Sequence, residues 1–177
     1  MLGLVHGLGE HSSRYTAMAK VLNQAGIGVV SYDQPGHGRT GGALPAFASL
    51  QQELGAFVDW LRGEFRYPLM LFGQSLGGCL VLHQALRHPE SCNAVVASSP
   101  LLTTTHPPPP WKLLVAKTLG CCWPNLTLPN GIDPDDLSHA PESVKEFRED
   151  RLIHHRISAA LGLSMLDAGR WALAHAE

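Results

Sequence analysis

Hydrophobic residues in the first hundred positions alternate between short apolar runs and longer amphipathic segments. Four short runs predict buried strands, at residues 1–5, 27–32, 69–72 and 94–98. Residues 47–65 instead carry apolar side chains every three or four positions, the spacing of an amphipathic helix. Helical patterns also end near Gly26 and begin after Ser75. Strands that alternate with helices in this way predict a parallel sheet covered on both faces.

The pattern changes after Pro100. Four consecutive prolines predict a stiff, extended spacer at residues 107–110. The apolar segment at residues 111–123 follows, beginning with Trp111 and ending with Trp123, and it is a candidate helix. The remaining sequence predicts a turn-rich stretch and two further helices, at residues 126–141, 143–150 and 158–176. No strand is predicted after residue 98.

Composition and charge narrow the class of protein. Of 177 residues, 45% are hydrophobic and 16% are charged, which is typical of a globular domain. The net charge of −2 gives no electrostatic basis for binding nucleic acid. No apolar run reaches the length of a membrane-spanning helix. The four cysteines lack metal-ligand spacing and are interpreted as buried thiols in a reducing compartment. We therefore expect a cytoplasmic protein.

The strand predicted at residues 69–72 leads directly into the sequence Gly-Gln-Ser-Leu-Gly, centred on Ser75. Glycines two positions on either side of a serine are typical of a nucleophile elbow, a strained turn where a side chain at those positions would clash. Such a turn exposes the serine hydroxyl above the sheet and leaves the next backbone N–H at a helix N-terminus, where it can bind an oxyanion. Ser75 is therefore a candidate nucleophile. The alternative is an ordinary glycine-rich turn with a buried serine.

Two further motifs accompany the elbow. The loop at residues 6–11 reads His-Gly-Leu-Gly-Glu-His, and its glycines would let a backbone N–H approach a substrate carbonyl. Its polar neighbours are interpreted either as a network that stiffens the loop or as a surface cluster without a chemical role. These neighbours are His6, Glu10, His11 and Arg14. The third motif spans residues 33–39, and Asp33, His37 and Arg39 within it are interpreted as a structural turn.

The three motifs, in this order, resemble the monoacylglycerol lipase and lysophospholipase branch of the α/β-hydrolases, which is also grouped with serine aminopeptidase-type hydrolases. The resemblance continues through the Ser-Pro-Leu sequence at residues 99–101 and the stretch that begins at Asp150. It implies an α/β-hydrolase fold with a helical cap. It also implies hydrolysis of lipid esters, such as monoacylglycerols or lysophospholipids, through an acyl-enzyme on Ser75, with no cofactor or metal.

The resemblance implies further site residues. The backbone N–H groups of Leu76 and Leu8 would form the oxyanion hole around the carbonyl attacked by Ser75. Gly7 and Gln74 would contact the substrate. Gln74 stands where the family usually has a histidine, so substrate preference is left more open.

A serine nucleophile requires a histidine to take its proton and an acid to orient that histidine. In α/β-hydrolases both partners follow later strands, and no later strand is predicted here. We therefore expect a partial chain that lacks strands at both ends of the fold and both partners of Ser75. No catalytic role is assigned to the acids and histidines that remain, which are Asp133, Asp135, Asp136, Asp150, Asp167, His106, His139, His154, His155 and His175. A metal site at His154 and His155 is not expected either, because adjacent side chains on a helix point apart and would be solvated.

The expected organisation has three regions. Residues 1–100 form a partial hydrolase core with the nucleophile elbow, residues 101–160 form a cap insertion, and residues 161–177 form a helix that leads back to the core. Within the cap, the segment at residues 111–123 either contacts lipid at a membrane surface or packs against the rest of the cap.

Two alternatives to an active enzyme remain open from the sequence. One is a truncated, non-catalytic relative that binds an apolar ligand. The other is a fragment that is unstable by itself, because a cut parallel sheet exposes an edge strand and a core face.

Overall fold

The protein is built around a four-stranded parallel sheet. A computed structural model describes residues 1–104, 109, 111, 116–118, 123 and 126–176. The strands are β1 (Leu2–Val5), β2 (Val29–Ser31), β3 (Met70–Gln74) and β4 (Ala94–Ser98). They pair in the order β2-β1-β3-β4, with every pair parallel. This confirms the predicted sheet, with strand boundaries within two residues of those expected.

Five helices whose limits lie among the described residues, and three short 3-10 turns, accompany the strands. The helices are α1 (Thr16–Gln24), α2 (Phe47–Glu64), α3 (Leu76–Arg87), α4 (Pro141–Glu149) and α5 (Ala159–Ala174). The 3-10 turns are Ser12–Tyr15, Pro89–Ser91 and Pro134–Asp136. The predicted helices at residues 47–65, 143–150 and 158–176 are present within two residues of the expected limits. The candidate helix at residues 111–123 lies mostly outside the described residues.

Side-chain alternation along β3 assigns helices to the two faces of the sheet. Leu71 is fully buried in the main apolar core, which includes residues of α2 and α3. Phe72 points to the opposite face, where its ring meets the ring of Tyr15 edge-on at 6.1 Å, just before α1. On the first face, a Cβ at Gly3 would lie 2.9 Å from Leu61 of α2. A glycine at this position therefore lets α2 pack directly on the sheet.

Helix α5 belongs to the core layer, although it follows the predicted cap in sequence. Leu161 and Met165 join the same apolar cluster as α2 and α3. The buried His83 ring of α3 is hydrogen-bonded to the carbonyl of Ala168 at 2.8 Å. Because a buried polar ring needs such a partner, this bond fixes α5 against α3.

A second sheet of two short strands corrects the expectation that no strand follows residue 98. Strands β5 (Thr127–Pro129) and β6 (Arg156–Ser158) pair antiparallel, with Thr127 opposite Ser158. Each strand has three residues, too few to show an alternating pattern. Leu128 at the centre of β5 is 45% exposed, so no buried face marks the strand in the sequence.

Replacing Gly77 by alanine should destabilise the protein. The new Cβ would contact the backbone carbonyls of Val5 and His6, which cannot move without displacing the end of β1. We expect the free energy of unfolding, measured by urea denaturation, to fall by about 3 kcal/mol. Gly55 of α2 is the matched control, because a Cβ there meets no atom within 4 Å. Gly55→Ala should raise the free energy of unfolding by about 0.5–1 kcal/mol, and equal stability of both variants would contradict this account.

Candidate active site

Ser75 occupies the strained turn between β3 and α3. Its backbone has φ 52° and ψ −112°, a region that residues other than glycine rarely adopt. Its N–H donates to the carbonyl of Ser98, and its own carbonyl accepts from the N–H groups of Cys79 and Leu101, each at 3.0 Å. Strain of this kind persists where surrounding structure fixes the backbone, and it concentrates at functional sites.

The glycines around Ser75 are required by close backbone contacts. A Cβ at Gly73 would contact the carbonyl of Gly77, and a Cβ at Gly77 would contact the carbonyls of Val5 and His6. The first turn of α3 therefore lies directly against the end of β1. This contact brings the loop that follows β1 next to Ser75.

A cavity of about 280 Å³ lies over Ser75. The core contributes Leu8, Glu10, Arg14, Tyr15, Gln74 and Ser75 to its described wall. The region after β5 contributes Asn130, Ile132, Pro134, Leu137, Ser138, Ser143, Val144, Phe147 and His155. Three of the residues predicted to contact substrate or take part in the reaction, Ser75, Leu8 and Gln74, thus meet at one cavity. Leu76 is fully buried at the start of α3, and Gly7 lies behind Gln74, whose Oε1 would be 2.5 Å from a Cβ at Gly7.

The loop after β1 is held by the carboxylate of Glu10. The N–H of Gly7 donates to Glu10 Oε1 at 2.6 Å, and the hydroxyl of Tyr15 donates to the same oxygen at 2.7 Å. Arg14 forms an ion pair with Glu10 Oε2 at 3.3 Å. For Glu10 and Arg14 these contacts favour the stiffening network over the surface cluster. Tyr15 joins this network through a hydrogen bond that the three motifs do not indicate.

His6 supports the same loop from the protein interior. It is fully buried, and its Nε2 accepts from the backbone N–H of Gln34 at 3.0 Å. Because Nε2 accepts, the proton lies on Nδ1, which is 2.8 Å from the carbonyl of Gly7 and can donate to it. The side chain of Gln34 donates in turn to the carbonyl of His6 at 2.6 Å.

Three histidine rings, from His6, His37 and His154, lie in a row in space next to the loop. The ring centroids of His6 and His37 are 5.2 Å apart, and those of His37 and His154 are 4.8 Å apart. Burial lowers the pKa of His37 to about 3 and also lowers the pKa of His6 and of His154. All three rings are therefore neutral near pH 7.

Residues 150–155, between α4 and β6, dock on the loop. The N–H of His154 donates to the carbonyl of Gly9 at 2.9 Å, and His11 Nε2 is hydrogen-bonded to Asp150 Oδ2 at 2.8 Å. The expectation of a helix here was wrong, because this stretch is a loop, and the expected solvation was wrong for His154, which is half-buried beside His37. His155 is exposed and lines the cavity over Ser75.

Asp33 holds the turn of the third motif. Its Oδ1 accepts from the N–H and the hydroxyl of Ser12, at 2.8 and 2.6 Å, and its Oδ2 accepts from the N–H of Arg39 at 2.8 Å. Partial burial tends to raise the pKa of Asp33, but these hydrogen bonds outweigh it and lower the pKa to about 2. The contacts support the interpretation of Asp33 and Arg39 as a structural turn.

Several of the other candidate acids and histidines are paired with other side chains. Asp135 pairs with Arg148, Asp167 pairs with Arg170, and the His175 ring stacks on Trp171. His106 lies outside the described residues. Within the described part of the chain, no histidine is hydrogen-bonded to Ser75. Nor does any group of three or more His, Cys, Asp or Glu side chains there form a possible metal site.

The parallel sheet, the strained Ser75 and the adjoining glycine loop define an α/β-hydrolase with a serine nucleophile elbow. The chain belongs to the hydrolase family described as serine aminopeptidase, S33, whose profile matches residues 1–177. This confirms both the fold class and the family indicated by the three motifs.

Several characterised proteins and structures are similar to the chain. Monoacylglycerol lipase of Mycolicibacterium smegmatis is 30% identical over 172 residues, an alignment that covers 94% of this chain and 61% of the lipase. Human monoglyceride lipase is 31% identical over 169 residues, which cover 92% of this chain and 55% of the lipase. The crystal structure of Paleococcus ferrophilus monoacylglycerol lipase has a TM-score of 0.90 and 40% identity, covering 99% of this chain and 68% of that one. The chain thus spans less than two thirds of the length of the two curated lipases.

The free energy of unfolding should fall as the pH is lowered from 7 towards 4. In the unfolded chain a histidine has a pKa of about 6.5. The pKa values of His6, His37 and His154 are lower in the folded protein, so below pH 6.5 these histidines bind more protons in the unfolded chain than in the folded one. The stability they contribute is complete above about pH 6.5 and is lost with falling pH, by up to about 1.4 kcal/mol per pH unit for each ring. Urea denaturation at pH 7.5, 6.0 and 5.0 measures this loss.

Two variants isolate the effect of the buried rings. His37→Gln should flatten the pH profile, because one group that resists protonation is removed. His88→Gln is the control, since the His88 side chain is 58% exposed. Identical pH profiles for His37→Gln and the unaltered protein would contradict the assignment.

Proposed function

We propose that the protein carrying this chain is a serine hydrolase that cleaves carboxylic esters of lipids through an acyl-enzyme on Ser75. The observation that carries the proposal is the strained backbone of Ser75 beside a glycine loop and a cavity. The similarity to monoacylglycerol lipases supports the same chemistry.

In this reaction the Ser75 Oγ attacks the ester carbonyl carbon, and the alcohol leaves as the acyl-enzyme forms. The backbone N–H groups of Leu76 and Leu8 stabilise the oxyanion of the tetrahedral intermediate. Leu76 begins α3, so the helix dipole adds to the positive potential there. Water then attacks the acyl-enzyme and releases the fatty acid. The proton acceptor for Ser75 is not assigned to any described residue.

The cavity favours a neutral glycerol head group over a phosphate head group. Arg14 is the arginine in its described wall, and Arg14 is already paired with Glu10. The guanidinium also lies over the ring of Phe147, 4.9 Å from its centroid. A phosphate would have to displace these contacts, whereas the hydroxyl groups of glycerol can hydrogen-bond beside them. We therefore propose monoacylglycerols as the substrates, in preference to lysophospholipids.

Another part of the wall suits the acyl chain. It carries apolar side chains from the region after β5, namely Ile132, Pro134, Leu137 and Val144. Their position over Ser75 supports the proposal that residues 101–160 act as a cap. Gln74 lies in the same wall, which is consistent with a role in substrate binding. Gly7 stays a proposed contact through atoms other than its N–H, which is bonded to Glu10.

Contact with a membrane surface is a further part of the proposal. Trp111 and Trp123, at the ends of the proposed interfacial segment, are 63% and 65% exposed, and exposed tryptophans are typical of membrane interfaces. No helix among the described residues has the length and apolar character needed to cross a bilayer. We propose a cytoplasmic protein that reaches lipid peripherally through this segment.

A non-catalytic protein that binds an apolar ligand is not favoured. Backbone strain of the kind found at Ser75 costs on the order of 1–3 kcal/mol, and binding alone does not require it. The similar proteins are also named as lipases.

Replacing Ser75 by alanine should abolish ester hydrolysis without unfolding the protein. We expect hydrolysis of monoolein, measured by release of oleate, to fall by about 10⁴-fold or more. Ser143→Ala is the control, because Ser143 lines the same cavity and has no part in the proposed reaction. Ester hydrolysis that is unchanged in Ser75→Ala would refute the proposal.

The head-group proposal has its own test. Lysophosphatidylcholine with the same acyl chain should be hydrolysed at least about tenfold more slowly than monoolein, since its phosphate finds Arg14 already paired. Equal values of kcat/KM for the two lipids would contradict the choice of monoacylglycerols and leave the serine chemistry intact.

A further inference from the structure

Glu10 is a carboxylate at the cavity that the proposed reaction does not use. Its side chain is 13% exposed, and it lies in the loop at residues 6–11, directly after Gly9. A charged group that is so little exposed requires partners, and Glu10 has three. Each partner lies in the loop or in the turn that supports it.

The partners leave neither carboxylate oxygen free for proton transfer. Oε1 accepts from the Gly7 N–H at 2.6 Å and from the Tyr15 hydroxyl at 2.7 Å, while Oε2 faces Arg14 at 3.3 Å. Burial, and next the charge of Glu10, raise the pKa of Tyr15 far above its usual value, so Tyr15 stays a donor. Glu10 is thus bonded as an acceptor of fixed geometry and is not placed as a general base.

The choice of backbone donor in the loop depends on this carboxylate. Gly7 and Leu8 have adjacent backbone N–H groups. In the proposed reaction the N–H of Leu8, and not that of Gly7, donates to the oxyanion formed at Ser75. Glu10 occupies the N–H of Gly7. The carbonyl of Gly7 belongs to the same peptide group as the N–H of Leu8 and faces Nδ1 of His6, so the peptide that carries the Leu8 donor is fixed. The loop is held again one residue beyond Leu8, where the carbonyl of Gly9 accepts from the N–H of His154.

The ion pair with Arg14 offsets the negative charge of Glu10, which lines the same cavity as Ser75. An unpaired negative charge near Ser75 would destabilise a developing oxyanion. The ion pair with Arg14 and the two hydrogen bonds to Oε1 offset that charge. Tyr15 is itself anchored, because its ring packs edge-on against Phe72 of β3.

We propose that Glu10 is a positioning residue for the oxyanion hole: by holding the N–H of Gly7, it presents the N–H of Leu8 to the carbonyl that Ser75 attacks. This inference rests on the proposed function, since it names what prepares the same site.

Two substitutions separate geometry from charge. Glu10→Gln keeps the length of the side chain and an oxygen that can accept from Gly7 and Tyr15. Glu10→Asp keeps the charge but withdraws the carboxylate from Gly7 by one methylene group. With monoolein as substrate, kcat should stay within about threefold for Glu10→Gln and fall by at least about tenfold for Glu10→Asp, with KM little changed in both. Glu90→Ala is the control, because the Glu90 side chain is 73% exposed.

A second measurement reads the geometry without catalysis. Hydrogen exchange of the Gly7 amide, followed by NMR, should be slow in the unaltered protein and in Glu10→Gln, and faster in Glu10→Asp. If the unaltered protein hydrolyses no ester, the proposed function fails. The hydrogen exchange of the Gly7 amide in the two variants then still shows whether Glu10 holds the loop at Gly7. A kcat that falls more in Glu10→Gln than in Glu10→Asp, or exchange at Gly7 that is unaffected by Glu10→Asp, would overturn the inference.

Discussion

The site depends on one contact between two pieces of backbone. The first turn of α3 lies against the end of β1 so closely that a Cβ at Gly77 would contact the carbonyls of Val5 and His6. This approach sets the direction in which α3 leaves the sheet, and the turn at Ser75 must adopt a positive φ to reach it. The same contact places the loop after β1 beside Ser75. Ser75 and the loop that carries the proposed backbone donor are therefore positioned by a single packing arrangement.

Side chains hold the loop in the place that this contact provides. The buried His6 supports it from below, Glu10 holds it at Gly7, and His154 holds it at Gly9. His154 belongs to the stretch that joins α4 to β6, which also covers the cavity. The same stretch of chain therefore lines the cavity and holds the loop. Movement of the proposed cap would affect both.

The sequence predicts the elbow well because the elbow is a matter of backbone sterics. Glycine spacing around Ser75 reports directly where side chains cannot fit, and the apolar runs report which strands are buried. The sequence does not predict the pair β5 and β6, because strands of three residues with exposed side chains show no periodic hydrophobic pattern. The burial of His154 and the bond from Tyr15 to Glu10 were missed for another reason. His154 is buried by contact with His37, which is distant in sequence, and the bond from Tyr15 to Glu10 joins a 3-10 turn to the preceding loop. Local hydrophobic patterns report neither kind of contact.

The central claim is that the loop after β1 and the start of α3 together bind an oxyanion over Ser75. The most direct test is a crystal structure of the protein after reaction with an alkyl fluorophosphonate, whose phosphoryl oxygen mimics the oxyanion. We expect phosphorus bonded to Ser75 Oγ, and a phosphoryl oxygen within about 3 Å of the backbone nitrogens of Leu8 and Leu76. A phosphoryl oxygen bound instead by Gly7, or turned to solvent, would contradict it.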